Sequence, residues 1–289
     1  MTHPMHPDQV ATPPQLVRRL VDEQFPHWAD RPLTRIRHAG TDHDVHRLGD
    51  DLVVRLPVVA WATDQAELER RWLPVLAPHL PLAVPTHRAT GRPDHGYPFT
   101  WSVWDWLPGR SVDGRLDDAA ADALAGFRDA LHAVPTDVAP PRRPHSRGGP
   151  LAELDDEVQP AIRRVGDLVD APRTLALWAE AVQAPRWTDD VWLHGDLLPG
   201  NVLADEDRLS AVIDWGCLTT GDPAADLVAG WHLFDGPQRR RFLGDADDAA
   251  AARARGWVIS QAVIALPYYR DTNPGIVAQS LRALAAVLS

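Results

Sequence analysis

Lysine is missing from this chain: all 29 basic residues among its 289 are arginines. Any chemistry that elsewhere uses an ammonium must here use a guanidinium, a planar fork of donors rather than a point charge. Cysteine is almost as scarce. The single Cys217 excludes an internal disulfide and suits a reducing compartment. No run approaches the ~18 apolar residues that a membrane span needs, so no membrane partner is expected. The opening MTHPMHPDQVATPP has neither a basic region nor an apolar stretch, so no signal peptide is read and the expected location is cytoplasmic. Excess positive charge is absent too. A net charge of −11 argues against nucleic acid as a partner, because such binders displace counterions with basic surface; it is compatible with a cationic small ligand.

What is present describes a globular chain, 45% hydrophobic and 24% charged, long enough for two lobes. Residues 1–14 predict a flexible tail, in which the His3 to His6 spacing reads as tail rather than metal site. Leu16, Val17, Leu20 and Val21 recur at helical spacing between Pro14 and Phe25. Leu33–Ala39, Val45–Leu48 and Leu52–Leu56 read as strands of an antiparallel meander, with turns at Gly40 and Gly49. Residues 63–73 predict an amphipathic helix capped by Thr63 or Asp64 and ended or bent by Pro74. FTWSVWDWLPG adds one more strand. After Gly109 the pattern turns helical, over 117–134, 151–166, 172–184, 223–235, 247–268 and 275–288, with one strand pair within 191–214. The expected fold class is α+β: a small β-rich unit over residues 1–107 and a larger, mainly helical unit over 108–289.

The chemistry concentrates in VWLHGDLLPGNVLADEDRLSAVIDWG, Val191 to Gly216. A short β-type run ends in His194-Gly195-Asp196, Asn201 follows five residues later on the same loop, and a hairpin returns to Asp214. That return brings the Asp214 carboxylate beside Asn201. A hard cation such as Mg²⁺ takes oxygen ligands, one or two from protein and the others from phosphate and water, which suits Asn201 and Asp214. Asp196, not committed to metal, can accept a proton from an attacking hydroxyl.

An Asp, an Asn five residues on and a second Asp on the next strand is the order found in kinases. HGDLLPGN followed by IDWG resembles the Brenner-type motif of the aminoglycoside phosphotransferase family, whose members share the bilobal protein-kinase-like fold. Gly221-Asp222-Pro223-Ala224-Ala225-Asp226-Leu227 is similar to that family as well. The resemblance runs from about Gly40 to the C-terminus. It implies phosphoryl transfer from ATP or GTP with Mg²⁺, Asp196 as base or hydroxyl-orienting residue, Asn201 and Asp214 on the metal, and His194 in support. Asp222 and Pro223 read first as N-cap and first residue of a helix, and Asp226 as a brace of the catalytic loop.

By the same resemblance Gly40, Thr41, Asp42 and His43 form the nucleotide-positioning loop, although the family often carries Asn at the place of His43. Arg55 takes the place of the strand lysine. Glu69 is the best match for its orienting carboxylate; Glu67 is the fallback, with an ordinary surface role four residues before Arg71. Backbone groups at Asp105 and Leu107 would meet the purine edge, while Trp101, Trp104 and Trp106 serve the core. The loop reads HGD rather than HRD, and Leu198 stands where protein kinases carry Lys, which disfavours a protein kinase.

The expected acceptor is a small molecule, foremost an aminoglycoside-type antibiotic whose ammonium groups need carboxylates. Asp226, Asp235 and Asp271 are candidates, with Trp231, Trp257, Tyr268 and Tyr269 as possible pocket walls; solvated helix ends and core packing are the competing roles. Macrolides, peptide antibiotics and homoserine-, choline- or sugar-like metabolites are served by the same fold, which does not fix the acceptor. An inactive nucleotide-binding homologue is disfavoured, because Asp196, Asn201 and Asp214 are all present. Monomer and homodimer both remain open.

Overall fold

The computed structural model describes residues 5–36, 40–140, 142, 146–206 and 208–289. Helix α1 (Pro14–Gln24) buries Val17, Leu20 and Val21, the stripe set by their spacing. It lies near a mixed-length antiparallel sheet built from β1 (Leu33–Arg35), β2 (His43–Leu48), β3 (Leu52–Pro57), β4 (His87–Gly91) and β5 (Trp101–Asp105), in the order β1-β2-β3-β5-β4. Alternation decides which side chains enter this core: Leu48, Leu52, Val54, Leu56, Trp101 and Val103 join the α1 residues in one buried cluster. Between β3 and β4, helix α2 (Gln65–Leu76) crosses to the other lobe, and its Trp72, Leu73 and Leu76 belong to the larger core.

That larger core is helical. Helices α3 (Asp118–His132), α4 (Asp155–Arg164), α5 (Ala171–Gln183), α6 (Ala229–Leu233), α7 (Gly236–Leu243), α8 (Asp248–Tyr269) and α9 (Pro274–Leu288) surround short strand pairs. Asp117, Asp170 and Asp247 cap α3, α5 and α8, each accepting a backbone N–H in the first turn. Strands β6 (Arg110–Ser111), β8 (Val202–Asp205) and β9 (Arg208–Val212) form one small sheet in the order β6-β8-β9. Strand β7 (Val191–Leu193) pairs instead with β10 (Thr219–Gly221).

Several expectations are corrected. The single strand pair within 191–214 is two separate pairings, because the chain after β7 turns away to make the site loop before β8 begins. Helix α2 runs past Pro74 to Leu76; the proline falls in the last turn, where it removes only one helical hydrogen bond. Strands β4 and β6, hidden among prolines, were not expected. β1 is assigned only to Arg35, and residues 37–39 of the expected strand lie outside the described residues.

The expected flexible tail is packed from Met5 onward. His6 is buried, with Nδ1 2.7 Å from the Tyr268 hydroxyl and Nε2 2.9 Å from the Thr41 carbonyl. Val10 donates its N–H to Val58 O, and Thr12 Oγ1 donates to Asp44 at 2.7 Å. The same carboxylate meets His46 at 2.9 Å and Arg35 at 2.6 Å, so a buried polar cluster anchors the segment to β2. Low local hydrophobicity concealed it, since these contacts are polar and distant in sequence.

Gly91 sits opposite Trp101 in the β4–β5 register, and a Cβ there would overlap the indole ring. Gly91→Ala should therefore lower unfolding free energy by about 1–3 kcal/mol through overpacking, measured by urea denaturation.

Candidate active site

The site loop is shaped by left-handed backbone. Gly195 takes φ +77°, and a Cβ there would come within 2.7 Å of the Cys217 carbonyl oxygen, so only glycine lets the loop pass. Asp214 adopts φ +62° at the end of the returning hairpin, a conformation Asp tolerates better than most residues. The Ile213 N–H donates to the Asn201 carbonyl at 2.8 Å, and this bond brings the two expected metal ligands side by side.

Asn201 is oriented by its own amide. Nδ2 donates to the Asp196 carbonyl at 2.8 Å and to Asp196 Oδ2 at 2.9 Å, which leaves the side-chain oxygen Oδ1 without a hydrogen-bond partner among the described residues, on a residue that lines the cleft. Asp214 stands opposite, its side chain 40% exposed, with Oδ1 3.3 Å from Arg55 Nη2. One amide oxygen and one accessible carboxylate make an all-oxygen donor set that fits Mg²⁺.

From the β-rich side, Arg55 on β3 donates from Nη1 to Glu69 Oε2 at 2.7 Å. Glu69 is fully buried, and its Oε1 accepts the Trp215 N–H at 2.9 Å. Burial pushes the Glu69 carboxyl up, and the guanidinium with the Trp215 N–H opposes that. Glu67 is exposed and pairs with Arg70 at 2.7 and 2.6 Å, not with Arg71, so Glu69 is the carboxylate on Arg55.

A cavity of about 430 Å³ opens between the lobes, lined by Gly40, Thr41, Asp42, His43, Arg55, Trp104, Asp105, Leu107, Asn201 and Asp214 among others. The loop and hinge residues expected at the nucleotide thus converge on one cleft. Burial, with Arg55 adding to it, lowers the His43 pKa to about 3, so this ring is neutral at ordinary pH. Burial raises the Asp42 pKa, which the Thr41 hydroxyl opposes and Asp214 reinforces. At the hinge the Asp105 side chain is occupied by Arg88 at 2.5 and 2.7 Å, and the Trp106 N–H by Asp51 O. The Leu107 N–H has no partner among the described residues.

His194 is wholly buried. Its Nδ1 accepts the Asp196 N–H at 3.2 Å, so the proton lies on Nε2, which meets Ile213 O at 3.0 Å; the ring stands edge-on to Trp215. Asp226, also wholly buried, accepts the N–H groups of His194 and Gly195 at 3.0 and 2.8 Å. Asp222 caps the turn that follows it through Ala224 N and is bridged by Arg253 at 2.7 and 3.1 Å. These are bracing geometries, and no surface of Asp226 is left for an acceptor.

Of the other acceptor candidates, Trp231 and Trp257 lie in the helical core at 3% and 2% exposure. Asp235 is 3.1 Å from Arg115 at the start of α7, Asp271 is exposed, and Tyr268 is held by His6. They do not form one cluster. Residues missed in the sequence complete the site. Arg147 contacts Asp196 at 3.0 Å, His132 lies 3.3 Å from Asp226, and Arg253 holds Asp222. Each partner is more than 30 positions away in sequence, so no local pattern marks the pair.

The sequence pattern of the phosphotransferase enzyme family matches residues 33–258. Two aminoglycoside 3'-phosphotransferases, from Streptomyces fradiae and Streptomyces ribosidificus, are 32% and 31% identical over 145 and 143 residues, 44% of this chain and 51% of each relative. The chain thus spans about half the length of the curated relatives it matches. The GDP complex of wild-type aminoglycoside 2'-phosphotransferase-IIIa has the same fold, with a TM-score of 0.71 at 19% identity over 96% of this chain and 99% of that one. A macrolide 2'-phosphotransferase from Brachybacterium faecium gives 0.65 at 23% identity over 95% and 98%. With more than half of its length matched by the family pattern, on the kinase-like architecture of these structures, the chain belongs to the phosphotransferase enzyme family.

Proposed function

We propose that the protein transfers the γ-phosphoryl group of ATP or GTP to a hydroxyl of a small molecule, foremost an aminoglycoside-type antibiotic. The observation that carries this reading is one cleft lined by Arg55, Asn201 and Asp214, with Asp196 hydrogen-bonded to Asn201 and Glu69 to Arg55. The acceptor class is supported by the names of the curated relatives and by a structural neighbour solved with GDP and kanamycin. The reading divides the chain into a nucleotide-binding lobe up to residue 107 and an acceptor-bearing lobe after it. It takes the location as cytoplasmic; no helix among the described residues is long and apolar enough to cross a membrane.

In this mechanism Leu107 offers its N–H to the purine edge and Arg55 its guanidinium to the phosphates, with Glu69 fixing the fork. Asn201 and Asp214 would hold Mg²⁺, which when bound neutralises charge on the phosphates. Asp196 accepts the hydroxyl proton as the acceptor oxygen bonds to the γ-phosphorus. The bond to the bridging oxygen breaks in line, leaving the nucleoside diphosphate. Catalysis is then positioning and electrostatics, for which a braced loop is the requirement. Of the three candidate acceptor carboxylates, Asp235 and Asp271 are the exposed ones and remain open to ammonium groups of the acceptor.

Nucleotide consumption against a panel of aminoglycosides, macrolides and small hydroxylated metabolites tests the reading. Phosphorylation of at least one acceptor is expected, and Asp196→Ala should abolish it while nucleotide still binds; normal turnover by that variant would refute the role. Glu69→Gln should raise the nucleotide KM about tenfold, because the buried guanidinium loses its ionic partner, whereas Glu67→Gln should leave it unchanged. Steady-state kinetics of the two variants provide the comparison.

A further inference from the structure

Between His194 and Asp196 the chain has only a glycine, yet a guanidinium stands beside Asp196. It comes from Arg147, on the loop before α4. One nitrogen, Nη1, donates to Asp196 Oδ1 and to the Gly195 carbonyl, each at 3.0 Å. The other carboxylate oxygen, Oδ2, accepts from Asn201 Nδ2 at 2.9 Å. Asp196 is therefore held at both oxygens by two donors of separate origin. With Asn201 alone the terminal torsion of the aspartate would remain soft, since such torsions have broad minima.

The loop that carries Arg147 is itself fixed. Gly148 has φ +79° and packs so closely on Leu193 that a Cβ would overlap that side chain. Its carbonyl accepts the Asp222 N–H at 2.8 Å, and Asp222 is in turn bridged by Arg253. On the other side, a Cβ at Gly195 would lie 3.4 Å from the Arg147 Cβ. The glycine of the site loop and the arginine of the distant loop thus fit one another. Burial presses on the charge of Arg147, but the neighbouring Asp196 carboxylate more than offsets it, and the group remains a cation.

We propose that Arg147 is a positioning residue for phosphoryl transfer: with Asn201 it sets the rotamer in which Asp196 faces the acceptor hydroxyl. It acts through Asp196, takes no proton, and lets the hydroxyl proton pass to the carboxylate. This rests on the phosphotransferase reading given above.

Removing the guanidinium should misplace the carboxylate rather than weaken nucleotide binding. Arg147→Ala is expected to lower kcat about 10²-fold, the cost of a small misplacement of a reacting group, with nucleotide KM unchanged. Added guanidine hydrochloride at concentrations far below denaturing should restore part of kcat, and tetramethylammonium chloride should not. A crystal structure of the variant should show Asp196 rotated away from Asn201. If Arg147→Ala does not fold, Arg147→Lys carries the test: its ammonium ends one bond short of the place that Nη1 occupies, so it keeps the charge without the two contacts and should show the same loss in kcat. An unchanged kcat, a loss confined to KM, or an Asp196 unmoved in the variant would overturn the proposal. Should the wild-type protein phosphorylate none of the panel, the functional reading fails by itself, and the orientation of Asp196 in the variant crystal still decides the positioning role.

Discussion

Asp226 has no surface in water, and the site loop is built on the way its charge is satisfied. Burial opposes that charge, but His132 and the N–H groups of His194 and Gly195 hold the carboxyl below its usual range. A depressed value means that its contribution to stability is present above the ordinary carboxylate range and is lost as pH falls through the folded value. Without the carboxylate, two buried backbone donors would be orphaned, at about 1–3 kcal/mol each. With it, the backbone before Asp196 has one conformation, which Asp196, Asn201 and His194 then share.

A second buried carboxylate ties this loop to the other lobe. Glu69 holds Arg55 with one oxygen and the Trp215 N–H with the other, so the β3 guanidinium and the turn carrying Asp214 are referred to one point on α2. The N-terminal segment adds another link, since His6 bridges the Thr41 carbonyl and the end of α8. The cleft is thus framed by polar contacts between lobes whose apolar cores are distinct clusters.

The sequence was most legible where chemistry and local geometry coincide. Asp196, Asn201 and Asp214 lie within 19 positions, and their loop and hairpin follow from Gly, Pro and alternating apolar residues. Helix α1 was equally plain from its apolar stripe, and the Asp222 cap from the Asp-Pro pair, whereas Asp64, read as a cap of α2, makes no side-chain cap bond. Legibility failed where a contact spans the chain. Nothing near Arg147 announces Asp196, and nothing in a polar, Pro-rich opening announces that His6 and Thr12 are buried. Strand β4 was concealed because its alternation is interrupted by a register shift and bounded by prolines. The acceptor side was least legible: Trp231 and Trp257 at helical spacing serve the core, the commoner fate of such residues.

The central claim is that Asn201 and Asp214 share a metal ion with the phosphates of a nucleotide. Calorimetric titration of a non-hydrolysable ATP or GTP analogue, with and without Mg²⁺, measures this directly on the wild-type protein and on Asp214→Asn. Affinity that rises with Mg²⁺ in the wild type and loses that dependence in the variant is the predicted result. Metal-independent affinity in the wild type, or an undiminished Mg²⁺ effect in Asp214→Asn, would contradict it.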